Sequence, residues 1–191
     1  MKVIAFNGSA RKDGNTAILL NNVLDEIRKE GIETELYQLA GKKIQGCIAC
    51  YKCMKNKDNR CAVDNDIVNE CIAKMIEADG ILIGSPTYFA DVTAATRALI
   101  ERTGFVARAN DYLFKRKVGA GVIAVRRGGA IHAFNSINLF LFYNQIINPG
   151  ASYWAFAIGR DPGEVLGDAE GMQTMKTLGQ NLAWLLKKVR S

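Results

Sequence analysis

The chain has a single histidine, His132, among 191 residues. It stands beside Ile131 and Phe134 with no carboxylate or second histidine close by in sequence. No serine–histidine–aspartate relay can be assembled around it, and a structural or surface role is expected. Long apolar runs are missing too: none approaches the roughly 20 residues that cross a bilayer, which excludes membrane-spanning helices. The opening run Met1–Gly8 enters a strand-like segment that Asn7-Gly8 breaks too early for a secretory leader. A cytoplasmic setting is therefore expected, one in which thiols stay reduced. Repeats, low-complexity tracts and linkers are absent, so one domain over residues 1–191 is expected. Neither the dinucleotide fingerprint G-x-G-x-x-G nor the Gly-Lys-Ser/Thr of a nucleotide P-loop occurs.

Charge is unbalanced but not clustered. The 25 Lys and Arg against 19 Asp and Glu give a net +6, which favours anionic partners such as phosphate-bearing cofactors. The densest groups, Lys115-Arg116-Lys117 and Lys187-Lys188-Val189-Arg190, read as a turn and the solvated end of a C-terminal helix. No nucleic-acid surface is expected from so dispersed a pattern.

Short β-branched runs alternate with helical periodicity. Strands are expected at Lys2–Asn7, Ile32–Leu39, Gly80–Gly84, Lys117–Val125 and Tyr153–Ile158. Helices are expected over Thr16–Glu30, from Asp66 through Ile76, from Ala94 to about Gly104, and from about Ala169 to Lys188. The segment Ile131–Ile147 is apolar almost all round, a helix to be covered on more than one side, so a homodimer or homotetramer is expected. Five strands with intervening helices predict an α/β, flavodoxin-like doubly wound five-stranded parallel sheet with helices on both faces, which binds ligands where the strand order reverses.

Between the first strand and the first helix runs Gly8-Ser9-Ala10-Arg11-Lys12-Asp13-Gly14-Asn15-Thr16. Free N–H groups at a helix N-terminus, hydroxyl and amide donors on Ser9, Asn15 and Thr16, and two glycines make a cradle for a monophosphate cofactor. Further on, Cys47, Cys50, Cys53 and Cys61 follow C-x2-C-x2-C-x7-C. Four thiolates so spaced suit an iron–sulfur cluster or a tetrahedral zinc site, the alternatives being a reduced, metal-free loop or an internal disulfide. Lys52, Lys55 and Lys57 lie among them and would offset thiolate charge. Cys71, within the apolar pattern Ile67, Val68, Ile72 and Met75, reads as a core residue.

The first of these segments, Gly8-Ser9-x-Arg11-x-x-Gly14-Asn15-Thr16, resembles the FMN phosphate loop of the NADPH-dependent FMN reductase superfamily. Gly84-Ser85-Pro86-Thr87-Tyr88-Phe89 resembles its flavin-ring loop, and the cysteine set is similar to that of its iron–sulfur flavoproteins. The resemblance implies that Ser9, Arg11, Asn15, Thr16 and Ala17 hold the FMN phosphate and that Pro86, Thr87, Tyr88 and Phe89 lie along the isoalloxazine. Arg126-Arg127-Gly128-Gly129 resembles a third flavin loop, with Arg126, Gly128 and Gly129 at the ring and Arg127 left unassigned. It implies a 4Fe-4S cluster on Cys47, Cys50, Cys53 and Cys61. No side chain is expected to act as a catalytic base, since the flavin itself reacts.

The expected activity is an FMN-dependent oxidoreductase or electron-transfer flavoprotein. Its donor would be NAD(P)H or a ferredoxin-like carrier, and its acceptor a small molecule. A cluster-free NAD(P)H-dependent FMN or quinone reductase, and a non-enzymatic metal-site or thiol-switch module, are the alternatives.

Overall fold

The computed structural model describes residues 1–189. Its strands are β1 (Lys2–Asn7), β2 (Glu33–Gln38), β3 (Gly80–Pro86), β4 (Val118–Val125) and β5 (Phe156–Ile158). All pair in parallel, in the order β2-β1-β3-β4-β5. Parallel strands need crossovers, and the helices supply them: α1 (Asn15–Lys29), α2 (Lys52–Asn56), α3 (Val68–Glu77), α4 (Ala94–Ala109), α5 (Ala130–Tyr143) and α6 (Ala169–Val189).

Alternation along the buried strands divides the core. Val3, Ala5, Leu82 and Val122 face α1 and α6, whose Leu20, Leu24, Leu178 and Leu182 fill one layer. Ile4, Phe6, Ile81 and Ile123 face the other way, onto Met75 of α3, Leu99 of α4 and Ile137 of α5. The strand order reverses between β1 and β3, and there the backbones close up: the Gly8 N–H donates to the Gly84 carbonyl at 2.8 Å. A Cβ on Gly8 would lie 1.9 Å from the Thr96 hydroxyl, so only glycine permits this approach.

Several expected boundaries shift. Helix α4 runs five residues past Gly104, because that glycine is buried in the seam with Phe140 of α5 and does not end the helix. Strand β3 continues through Pro86, and β5 is confined to Phe156–Ile158. Tyr153 and Trp154 precede β5 as an exposed edge-to-face pair, with centroids 4.5 Å apart. Lys117 stands where the turn meets β4. It is buried, and its ammonium donates to the carbonyls of Ile76 (2.9 Å) and Ala78 at the end of α3. The expectation for Arg190 lies outside the described residues. Helix α5 buries Ala133, Ile137, Phe140 and Leu141 but leaves Ile131, Leu139, Phe142 and Tyr143 exposed. No helix among the described residues is long and apolar enough to cross a membrane.

Candidate functional site

At the reversal point a cleft is lined by Ser9, Arg11, Asn15, Thr16, Pro86, Thr87, Tyr88, Ala124, Arg126, Gly159 and Arg160. Its floor is the loop from β1 to α1, which is held from three sides. Thr93 Oγ1 donates to the Gly8 carbonyl at 2.8 Å, Gln38 Nε2 donates to the Ser9 carbonyl at 2.7 Å, and Ser9 N–H donates to Asn7 Oδ1 at 3.1 Å. Helix α1 begins after Gly14 with no side-chain cap, so its first N–H groups are not consumed by one.

Two buried hydroxyls in this cleft, those of Thr16 and Thr87, have no hydrogen-bond partner. A buried donor left alone costs about 1–3 kcal/mol. The phosphate and ring of a flavin mononucleotide carry acceptors for such hydroxyls, and a helix N-terminus adds charge complementarity to a phosphate. The residues fit FMN.

The expected phosphate residues divide in two. Ser9, Arg11 and Thr16 line the cleft, whereas Ala17 is buried behind it. Asn15 lines it too, but its amide reaches across to the loop after β5: Nδ2 donates to the Asp161 carbonyl at 3.0 Å, and Oδ1 accepts from Gly163 N–H at 2.8 Å. Arg11 makes a similar bond to the Arg160 carbonyl at 3.4 Å. In the same loop Glu164 accepts from the N–H groups of Asp161 and Arg160, bonds that lower its pKa.

Pro86, Thr87 and Tyr88 line the cleft, and Phe89 stands beyond it, fully exposed. Tyr88 and Asp91 exchange backbone hydrogen bonds of 2.8 and 3.0 Å around Phe89 (φ 48°) and Ala90 (φ 61°). This is a left-handed two-residue turn made without glycine. Asp91 anchors it, accepting from Arg97 at 2.5 Å and Ser136 at 2.6 Å, with His132 Nε2 3.6 Å away. Burial works against the Asp91 carboxylate, but the bonds from Ser136, Val92 N–H and Arg97 prevail and hold its pKa below the usual value. The fold thus brings to His132 a carboxylate that its sequence neighbours lack. Of the third loop, Arg126 lines the cleft, while Arg127 and Gly128 are exposed. Gly129 (φ +88°) abuts the turn, and a Cβ there would lie 2.6 Å from Ala90 Cα.

The four cysteines line a second, mostly apolar cavity together with Ile48, Tyr51, Val63, Arg102 and Phe105. Cys47 and Cys50 are exposed, and Cys53 and Cys61 are half-buried. Burial pushes the Cys53 thiol up, and the buried Cys71, outside the cavity as expected, is pushed to about 12. Among the described residues no three His, Cys, Asp or Glu side chains stand in metal-holding positions. The donor set is nonetheless chemically consistent: four soft thiols on one cavity suit iron–sulfur or zinc. Lys52, Lys55 and Lys57 are exposed.

Arg102 on α4 is 1% exposed and reaches into this loop. It pairs with Asp66, donates to the carbonyls of Gln45 (3.2 Å) and Val63 (2.7 Å), and donates from Nε and Nη2 to Cys61 Sγ at 3.4 and 3.3 Å. Although burial opposes its charge, the bonds from Asp66 and Cys61 hold its pKa above the ordinary value. Sequence reasoning missed Arg102, Gly159 and Arg160. An arginine at the buried spacing of Ala98, Leu99 and Val106 was a legible sign of a functional charge; the loop after β5 carried none.

The family model of NADPH-dependent FMN reductase matches residues 1–161. An iron–sulfur flavoprotein of Methanocaldococcus jannaschii is 37% identical over 202 residues, covering 100% of both chains. One from Archaeoglobus fulgidus is 35% identical over 179 residues, covering 92% of this chain and 86% of its own. Among solved structures, RosB with bound intermediate 8-demethyl-8-formylriboflavin-5'-phosphate superposes with a TM-score of 0.76 at 19% identity, over 100% of this chain and 80% of its own. A flavodoxin from the domain Archaea superposes with a TM-score of 0.63 at 16% identity, over 98% and 99% respectively.

Proposed function

The chain belongs to the NADPH-dependent FMN reductase family and is a flavin-dependent oxidoreductase that uses FMN; from that premise we propose that it relays electrons between FMN in the reversal-point cleft and a 4Fe-4S cluster on Cys47, Cys50, Cys53 and Cys61. The observation that carries the reading is the coexistence of two cavities in one chain, one with orphaned hydroxyls on Thr16, at a helix N-terminus, and on Thr87, after β3, and one lined by four thiols. The names of the relatives support the same pairing.

FMN supplies two-electron chemistry that can be released in single-electron steps, and a thiolate-bound cluster accepts electrons one at a time. The chain's own residues do the rest. The first turn of α1, with Ser9, Arg11 and Thr16, binds and orients the phosphate. Thr87 and the backbone from Pro86 to Phe89 border the ring, with Arg126, Gly128 and Gly129 opposite. Asn15 closes the loop after β5 over the phosphate end and excludes water there. No proton-transfer role falls to a side chain.

In this reading the whole chain acts as one domain, the electron donor is NAD(P)H or a ferredoxin-like carrier, and the acceptor is a small molecule. The exposed Ile131, Leu139, Phe142 and Tyr143 on α5 are covered in a homodimer or homotetramer.

The test is the ultraviolet–visible spectrum of anaerobically purified protein, with iron and acid-labile sulfide assayed on the same sample. Flavin bands with broad absorption near ~400 nm and about four irons per chain are expected. Flavin without iron or sulfide, even after reconstitution, overturns the relay and leaves a cluster-free FMN or quinone reductase.

A further inference from the structure

We propose that Arg102 is a positioning residue that sets the reduction potential of the centre held by the cysteine loop, acting through the Cys61 sulfur; the proposal rests on the reading of that loop as a cluster site. The four thiols are held unequally. Cys47 is fastened by a 3.4 Å bond from its N–H to Glu101, and its sulfur receives the Ala49 N–H, also at 3.4 Å. Cys61 is fixed at both ends of its peptide by Asn69, which accepts from its N–H at 2.8 Å and donates to its carbonyl at 2.9 Å. Its sulfur faces two N–H groups of one buried guanidinium.

That guanidinium cannot drift. Asp66 and the carbonyls of Gln45 and Val63 occupy its remaining donors, and those residues flank the loop on either side. The loop is therefore closed onto α4 by protein contacts alone, with a cation placed at one particular sulfur.

The electrical consequence follows from sign. One-electron reduction adds one negative charge to a four-thiolate centre, with no bond made or broken and no proton required. A fixed cation donating to one sulfur stabilises the reduced form more than the oxidised form, and so raises the potential. Asp66 offsets the cation at longer range, but its carboxylate faces the guanidinium and not the sulfur. Cys61 is thus held more firmly than Cys47, and Cys47 and Cys50 lie at the exposed side.

The experiment uses full-length protein with FMN bound, reconstituted anaerobically with iron and sulfide and titrated potentiometrically under electron paramagnetic resonance. The wild type is compared with Arg102→Lys and with the paired variant Arg102→Gln/Asp66→Asn, which removes both buried charges together. The expected result is a more negative centre in the paired variant, a smaller shift in Arg102→Lys, equal iron, and an unmoved FMN potential read in the same titration. Equal potentials in all three overturn the inference. Should the paired variant hold no iron, Arg102→Lys decides alone: a negative shift supports the inference and none overturns it. Loss of iron from both variants also overturns it, because Arg102 would then be needed to hold the loop rather than to tune the centre. A wild type that takes up no iron overturns the cluster reading itself, an outcome distinct from variants that load and match it.

Discussion

Asn15 and Gly163, 148 residues apart in sequence, are joined by a 2.8 Å hydrogen bond from the Gly163 N–H to the Asn15 side-chain oxygen. The other end of the same amide holds the Asp161 carbonyl. The residue at the start of α1 thereby latches the loop that follows the last strand.

Asn15→Ala is expected to raise the FMN dissociation constant about tenfold, since two hydrogen bonds of roughly 0.5–1.5 kcal/mol each are lost. Quenching of flavin fluorescence measures it. Limited proteolysis between residues 160 and 164 should rise in the same variant. Unchanged cleavage there would mean that Asn15 acts on the phosphate alone and not as a latch.

The Tyr88–Asp91 turn places Phe89 and Ala90 in the left-handed region, which costs an L residue roughly 1–2 kcal/mol. Ala90→Gly is therefore expected to stabilise the apoprotein by about 1 kcal/mol, roughly 2–4 °C in thermal midpoint for a chain of this size. Gly129→Ala should do the reverse, losing about 2 kcal/mol and weakening FMN, because its new methyl meets Ala90 Cα. Calorimetry on both variants checks the pair. A neutral Gly129→Ala would show that the two loops are not in register.

Acid should loosen this turn first. Folding lowers the Asp91 pKa, so its contribution is complete above the unfolded value near 3.8 and is lost as pH falls through the lower, folded value. Denaturant midpoints of wild type and Asp91→Asn should differ at neutral pH and converge as pH falls through the lowered, folded Asp91 value. A gap that persists at low pH would mean that Asp91 contributes by packing and not by charge.

Arg102→Met takes the cation away from the buried Asp66 carboxylate and leaves it only the N–H groups of Gln45 and Val68, and about 3–5 kcal/mol of stability should go with it. Arg102→Met/Asp66→Leu should recover most of that loss in urea unfolding. If the double variant is as unstable as the single one, the carbonyls of Gln45 and Val63 are what the arginine chiefly serves.

The sheet was legible because its central strands are buried on both faces and read as near-continuous apolar runs, such as Gly80–Gly84 and Lys117–Val125. The cleft was legible in its sequential part, since Ser9, Arg11 and Thr16 lie within one loop whose position before a helix has a chemical meaning. What sequence spacing could not carry was contact made by folding: Asn15 with Asp161, His132 with Asp91, and Arg102 with Cys61. Gly104 misled for a related reason, because a glycine at a helix seam and one at a helix end are identical until the partner helix is known. Tyr153 and Trp154 misled because aromatic residues favour strands whether or not a neighbour strand is in reach.

Helix α4 and its cap reach both the loop from β1 to α1 and the cysteine loop. Its cap, Thr93, holds the phosphate-loop carbonyl of Gly8, and nine residues on, Arg102 holds the cysteine loop. At the α-helical rise that is roughly 13–14 Å of hydrogen-bonded rod. The spacing of the two loops is thus ruled by helix register, and loop variation on either side leaves it alone. A single residue inserted between Thr93 and Arg102 would swing the guanidinium by about 100° and take it off the sulfur altogether.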